Sequence, residues 1–216
     1  MARPPAPGRL RITGGDNLGR RIEVPPGDTI RPSADRTRQA LYNMIEHRLW
    51  LDRAGPILPE AVVVDACCGT GALGLEALSR GAARLILIDR ERSALSLAIA
   101  NAASLGEAGK IEAIQADLAG ARLRAATAPA DLILLDPPYA EPNLPAAAMG
   151  ALARAGWIGP QTLVVLESSS RAEAPTLPPA ARIIDERRYG AARLQFIAWE
   201  ERAPEGGEPA EMPAPG

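Results

Sequence analysis

An aliphatic run that ends in Asp136-Pro137-Pro138-Tyr139 presents chemistry that no hydrophobic core needs. Proline has no N–H and a locked φ, so two in succession remove two donors and stiffen the chain. What remains is a rigid set of acceptors, the Asp136 carboxylate and nearby main-chain carbonyls, beside the flat face of Tyr139. Such a set suits a planar –NH2 group, with the ring stacking on its π-system in a contact worth roughly 1–3 kcal/mol. An exocyclic or amide amine is a poor nucleophile because its lone pair is delocalised. Holding its two N–H bonds on Asp136 and the Pro137 carbonyl turns that lone pair toward an electrophile, and catalysis is then mainly positioning. Asp136 can also favour the positive charge that develops on nitrogen and take the released proton.

A second cluster lies earlier in the chain. Asp65-Ala-Cys-Cys-Gly69-Thr-Gly71-Ala-Leu-Gly74 contains a G-x-G-x-x-G turn, and Asp89 follows Gly69 by 20 residues. After a strand and before a helix, these are the glycines and the ribose-binding acid of a dinucleotide site. The loop alone does not separate a nicotinamide dinucleotide from S-adenosylmethionine, since both carry an adenosine. Three features favour the second. Asp65, four residues before Gly69, would meet a cationic ammonium but repel a pyrophosphate. Asp117 is placed to accept from the adenine amino group. The DPPY stretch serves an amine that receives a methyl group, and hydride transfer has no use for it. Asp65, Gly69, Gly71, Asp89 and Asp117 are therefore the expected cofactor residues, and no metal site is expected.

The elements that must position these residues follow from the hydrophobic pattern. Short aliphatic strands are predicted at 61–66, 84–89, 111–117, 131–136 and 162–167, with helices at 72–80, 91–105 and 144–156 between them. Continuous apolar strands joined by helical crossovers mean an α/β parallel sheet covered on both faces. The segments 181–188 and 192–200 flank Tyr189-Gly190 and close the sheet as an antiparallel pair, for seven strands in all. In such sheets ligands bind at the carboxyl ends of the strands, where the acids fall. Before this unit, 9–13 and 20–24 alternate polar and apolar residues around a turn cluster and read as a β-hairpin. A helix of about 15 residues follows, with Ser33 or Asp35 as its cap and Leu41, Met44, Ile45 and Leu49 on one face. Residues 1–8 and 203–216 are Pro-, Gly- and Ala-rich and are expected to be disordered, leaving an N-terminal extension over 9–53 and a cofactor domain over 54–202.

Composition bounds the class. Of 216 residues 47% are hydrophobic but only 3% aromatic, so the core must be built from Leu, Val, Ile and Ala. No apolar run approaches the roughly 18 residues of a membrane span, and MARPPAPGRLRI lacks the apolar stretch of a secretory signal. The two cysteines, adjacent at 67 and 68, are neither a disulfide framework nor a CxxC pair, which suits a reducing cytoplasm. Net charge is −2, yet residues 1–53 carry ten arginines and six acids against 14 basic and 20 acidic residues in the remainder. A basic end on an acidic protein fits either a polyanionic partner or simply a solvated, arginine-biased surface, and charge alone does not choose between them.

DPPY after the fourth strand resembles the [D/N]PP[Y/F] motif of amino-methyltransferases with the class I, Rossmann-like S-adenosylmethionine fold. From about residue 9 to 200 the chain is similar to the bacterial 16S rRNA guanine-N2 methyltransferases that modify guanine 966 of the small subunit. RITGGDNLGRRIEVP (11–25), IRPSADRTRQALYNMI (30–45), DACCGTGALGLEALSRGA (65–82) and DPPY (136–139) carry the resemblance. The first two matter most, because many unrelated methyltransferases share the others. The resemblance implies S-adenosylmethionine as cofactor, N2-methylguanosine as product and 16S rRNA in an assembled or assembling small subunit as substrate. Asp136, Pro137, Pro138 and Tyr139 would hold the guanine. Arg20, Arg21, Arg31, Arg36 and Arg38 would neutralise phosphates and orient the RNA, some of them pairing instead with Asp16, Asp35 or Glu46. The target base must leave its stack to be reached. Cys67-Cys68 replaces the Phe-Ala common before the glycine loop, and the Pro-rich tail has no counterpart. His47 falls on the polar side of its helix and reads as a surface residue. A monomer without membrane association is expected.

Three other readings compete. Adenine N6 or glutamine N5 methylation shares the DPPY logic, although the N-terminal stretches disfavour both and Asp at 136 disfavours the glutamine. A nicotinamide-dependent oxidoreductase would account for the glycine loop but leave DPPY without a purpose. A non-catalytic RNA-binding module would need neither.

Overall fold

A computed structural model describes residues 10–25, 32–120 and 122–200. Arg31 and the terminal segments expected to be disordered lie outside the described residues. A two-stranded antiparallel hairpin, β1 (Leu10–Arg11) and β2 (Arg21–Ile22), opens the chain, shorter than the alternation predicted. Helix α1 (Pro32–His47) follows. Then come β3 (Val62–Ala66), α2 (Ala72–Ser79), β4 (Arg84–Asp89), α3 (Arg92–Leu105), β5 (Ile111–Gln115), β6 (Leu132–Leu135), α4 (Leu144–Arg154), β7 (Leu163–Ser169), β8 (Ala181–Tyr189) and β9 (Ala192–Trp199).

Strands β3 to β9 form one sheet in the order β5-β4-β3-β6-β7-β9-β8. All neighbours among the first five are parallel, while β9 runs antiparallel to both β7 and β8. This is the seven-stranded, mostly parallel sheet expected, and its antiparallel strand is the last one, inserted between β7 and β8. The strand order reverses between β3 and β6, which opens a crevice above their carboxyl ends.

The central strands β3, β4, β6 and β7 are largely apolar because each faces a core on both sides. Val63, Leu85, Leu87, Leu132 and Leu134 pack with Leu75 and Leu78 of α2 and Leu95 of α3. Their strand neighbours Val64, Ile86, Ile88, Ile133 and Leu135 pack with Ala148, Met149 and Leu152 of α4. The N-terminal extension joins the first of these cores through Leu10, Ile12, Ile22, Leu41, Tyr42 and Ile45. Gly74 makes the close contact of α2 with the sheet possible, since a Cβ there would lie 2.4 Å from Leu85 Cδ1 and 3.0 Å from Asp65 Cβ.

Two details of α1 correct the sequence expectation. The helix begins at Pro32, so Ser33 and Asp35 lie inside its first turn, and the Asp35 carboxylate pairs with Arg38 at 2.9 Å. It also ends at His47, which is exposed as expected, so Leu49 is not on its apolar face and lies 70% exposed. Tyr42 fills the core instead, and Trp50 stacks on Phe196 of β9 with ring centroids 4.5 Å apart. Among the described residues no helix is long and apolar enough to cross a membrane.

Candidate active site

Register places the functional residues. Ala66 pairs with Ile88 and with Leu135, and Leu135 pairs with Leu166. The next residue of each strand therefore lies at one level across the carboxyl edge of the sheet: Asp89, Cys67, Asp136 and Glu167. Parallel neighbours at one register also project to the same face. A cleft of about 490 Å³ opens above this row, lined by Gly69, Asp89, Asp117, Leu118, Asp136 and Tyr139 among others.

The glycine loop is held by carboxylates. Asp89 Oδ2 accepts the Gly69 N–H at 2.9 Å and its Oδ1 accepts the Glu91 N–H at 2.9 Å. Asp65 Oδ2 accepts the Gly74 N–H at 2.8 Å, and the Gly71 N–H goes to the Cys68 carbonyl at 2.7 Å. Cys67, Gly69 and Gly71 all take the left-handed conformation, with φ of 65°, 52° and 76°. At Gly71 even the space is short, since a Cβ would lie 3.1 Å from Ala98 Cβ. A pyrophosphate needs open N–H groups at such a turn. Here three of them are taken and two of the acceptors are acids, so the loop fits a cationic adenosyl group and not a dinucleotide. Among the described residues the guanidinium at the rim is that of Arg90, and Glu141, just past the DPPY turn, engages it at 2.9 Å.

Asp117 lies two residues past β5, exposed, with Oδ1 accepting the Ala119 N–H at 3.0 Å, and it lines the cleft as the adenine reading requires. Asp65 does not line the cleft. It sits inside β3, 1% exposed, behind the loop, so its expected direct contact with the amino-acid end of the cofactor gives way to a loop-fastening role. Burial, reinforced by Asp89 and opposed by the Gly74 N–H, pushes its carboxyl up to about 7. Cys67 lines the cleft as a free thiol, pushed up to about 12 by burial and then by Asp89, so it stays protonated and is no nucleophile.

Asp136 follows β6 directly, and although its side chain is exposed at the cleft, the packed strand ends around it dominate its titration. That crowding, then Glu167 and Asp65, raises its pKa well above the usual carboxylate range. Pro137 is buried, and Pro138 and Tyr139 are exposed, the ring by 49%. The Tyr139 hydroxyl donates to Glu167 Oε1 at 3.3 Å. Glu167 is the residue that sequence reasoning missed. It closes the aliphatic run TLVVLE as Asp136 closes DLILLD, although β7 itself continues to Ser169, and that parallel was the available signal. Its pKa is also raised, by burial, against the lowering effect of the Tyr139 hydrogen bond and of Arg38.

The expected phosphate-binding arginines divide. Arg20 donates to the carbonyls of Leu105, at 2.9 Å, and Ser104, and to Asn17 Oδ1 at 2.8 Å, so it closes the carboxyl end of α3. Arg38 is 5% exposed and bound to Asp35, Glu76 and the Arg11 carbonyl. Arg38 is corrected from an RNA ligand to a structural tie, because a guanidinium that satisfies buried acceptors is not available to a phosphate, while Arg20 is exposed but spends its donors on the helix end. Arg21 and Arg36 are exposed, with no ion pair among the described residues.

Residues 10–198 match the family described as Conserved hypothetical protein 95. Ribosomal RNA small subunit methyltransferase D of Escherichia coli strain K12 is 34% identical over 171 residues, spanning 79% of this chain and 80% of that protein. The structure of the Escherichia coli protein yhhF superposes with a TM-score of 0.70 at 30% identity, over 90% of this chain and 100% of that one. An RNA methyltransferase from Salinibacter ruber, solved with S-adenosyl-L-homocysteine, shares the fold at 19% identity and a TM-score of 0.54, over 84% of this chain and 99% of that one.

Proposed function

This chain belongs to the Conserved hypothetical protein 95 family, and from that premise we propose that it methylates the exocyclic N2 of a guanine in 16S rRNA, the guanine 966 type of target, in an assembled or assembling small subunit. It is a methyltransferase, and its cofactor is S-adenosylmethionine, which when bound supplies an electrophilic methyl group. Gly69, Asp89 and Asp117 would hold that cofactor along the acid-lined cleft, over a loop kept in place by Asp65.

The single observation that carries the reading is the DPPY turn, set at the end of the same cleft beside the strand where the sheet order reverses. Asp136 and the Pro137 carbonyl accept the N–H bonds of the target amine and aim its lone pair into the cleft. Tyr139 stacks on the base. Asp136 then takes the proton released as nitrogen forms its new bond. Its raised pKa brings the carboxyl closer to the proton it must receive. Arg21 and Arg36 would meet RNA phosphates on the basic N-terminal extension.

The test offers purified protein and methyl-labelled S-adenosylmethionine to naked 16S rRNA, small subunits from cells lacking the enzyme, duplex DNA and bulk protein. Nucleoside mass spectrometry is expected to find N2-methylguanosine on the small subunit, and Asp136→Ala is expected to abolish it. Label in N6-methyladenosine or in protein would overturn the substrate assignment. Absence of label from every substrate, with the cofactor bound, would overturn the catalytic one and leave an RNA-binding module.

A further inference from the structure

We propose that Glu167 reads the Watson–Crick edge of the target base, its carboxylate accepting the guanine N1–H while Asp136 accepts from the adjacent N2 amine. This deepens the guanine reading above and rests on it. The geometry comes from the sheet. Leu135 and Leu166 are paired neighbours on parallel strands, so Asp136, just past β6, and Glu167, still within β7, stand at the same level and toward the same face. Tyr139, the stacking residue, ties the pair together through its hydroxyl bond to Glu167 Oε1 at 3.3 Å.

A second cavity, of about 220 Å³, lies on the far side of the DPPY turn and shares Pro137, Pro138 and Tyr139 with the cofactor cleft. Glu167 and Ser168 line this second cavity. One turn of chain thus separates a methyl-donor cleft from a base-sized polar cavity.

The chemistry selects one purine. An ionised carboxylate is an acceptor only. Guanine presents two neighbouring donors, N1–H and N2–H, to the Asp136–Glu167 pair, and donors on both carboxylates favour their ionised forms together. Adenine presents a lone pair at N1, which would face the Glu167 oxygens without a proton between them. Asp136 alone holds any aromatic amine. Glu167 supplies the discrimination.

Glu167→Gln keeps the shape of the side chain and gives it an N–H donor. The experiment uses small subunits reconstituted with guanine or with 2-aminopurine at the target position, 2-aminopurine having the N2 amine but a lone pair at N1. Wild type on guanine is the control, and its failure would count against the proposed function and not against this inference. Given that control, Glu167→Gln, whose amide can turn its oxygen to guanine N1–H or its N–H to the 2-aminopurine lone pair, is expected to cut the preference for guanine over 2-aminopurine by at least about 10-fold, the scale of one selective charge-assisted hydrogen bond. On 2-aminopurine it is expected to exceed wild type. An unchanged preference would overturn the inference, whether both rates are retained or both fall equally with the S-adenosylhomocysteine-induced rise in melting temperature intact. If Glu167→Gln does not fold, Glu167→Asp serves: it must lose rate on guanine without gaining on 2-aminopurine, and unchanged preference would again overturn the assignment.

Discussion

The Arg38 guanidinium lies 3.2 Å from the Glu76 carboxylate, with the side chains only 5% and 0% exposed. Glu76 also accepts the Thr13 N–H at 2.9 Å, the Thr13 hydroxyl at 2.7 Å and the Arg80 guanidinium at 2.8 Å. One carboxylate of α2 thus ties down the hairpin and α1, the two elements that carry the exposed arginines. Removing it leaves the buried Arg38 and Arg80 guanidiniums with one carboxylate each, Asp35 and Glu46, and takes the acceptor from Thr13, a loss of about 2–3 kcal/mol, below the full cost of an unpaired buried charge. Glu76→Ala is expected to lower the melting temperature by roughly 4–12 °C. A loss under about 1 kcal/mol in urea unfolding would show that water or other groups replace the carboxylate.

Asp65 gives the stability a pH dependence of defined sign. In the unfolded chain the carboxyl titrates near its ordinary value of about 4, whereas folding raises it to about 7, chiefly through burial. Below the lower value both states are protonated and nothing is lost. Through the interval the unfolded chain releases its proton first, so stability falls as pH rises, and the loss is complete above the folded value. The whole effect is on the order of 4 kcal/mol. Asp65→Asn keeps an oxygen acceptor for the Gly74 N–H and does not titrate. Its stability relative to wild type is expected to grow by about 3 kcal/mol between pH 5 and pH 8. A difference that stays flat in urea unfolding across that range would remove Asp65 from the account.

The sheet was readable in the sequence because burial on both faces leaves near-continuous aliphatic runs, such as LILL over β6, and strand ends carry their acids in the open text of the chain. Which acid faces a ligand was not readable. Asp65 and Asp89 are both acids near strand ends beside the glycine loop, and the register puts the first two residues below the edge and the second on it. Glu167 escaped notice for the complementary reason: its importance comes from a neighbour 31 positions away in sequence and one strand away in space. Arginine is similarly mute, since Arg20 and Arg21 are adjacent and both exposed, yet one bonds the end of a helix and the other has no ion pair among the described residues.

Tyr139 separates stacking from hydrogen bonding. Tyr139→Phe keeps the ring and loses the donor to Glu167, and is expected to change kcat/KM by less than about 10-fold, within the 0.5–1.5 kcal/mol of an ordinary hydrogen bond. Tyr139→Ala also loses a base-stacking face worth roughly 1–3 kcal/mol, for a fall of about 5- to 150-fold on the small subunit. Equal effects of the two changes would assign the residue to holding Glu167 and leave stacking to another group.

The division among the arginines has its own test in salt. Each phosphate contact adds just under one unit to the slope of log affinity against log salt concentration, about 0.7–0.9 depending on strandedness. Arg21→Ala and Arg36→Ala are therefore each expected to weaken RNA binding and to flatten that slope by about one unit, with little change in melting temperature. Arg20→Ala should do the reverse. It strips the donors from the Ser104 and Leu105 carbonyls at the end of α3, so it lowers the melting temperature and leaves the slope unchanged. Filter binding over a salt series, beside thermal unfolding of the three variants, checks both halves. A flattened slope for Arg20→Ala would return that residue to the RNA surface.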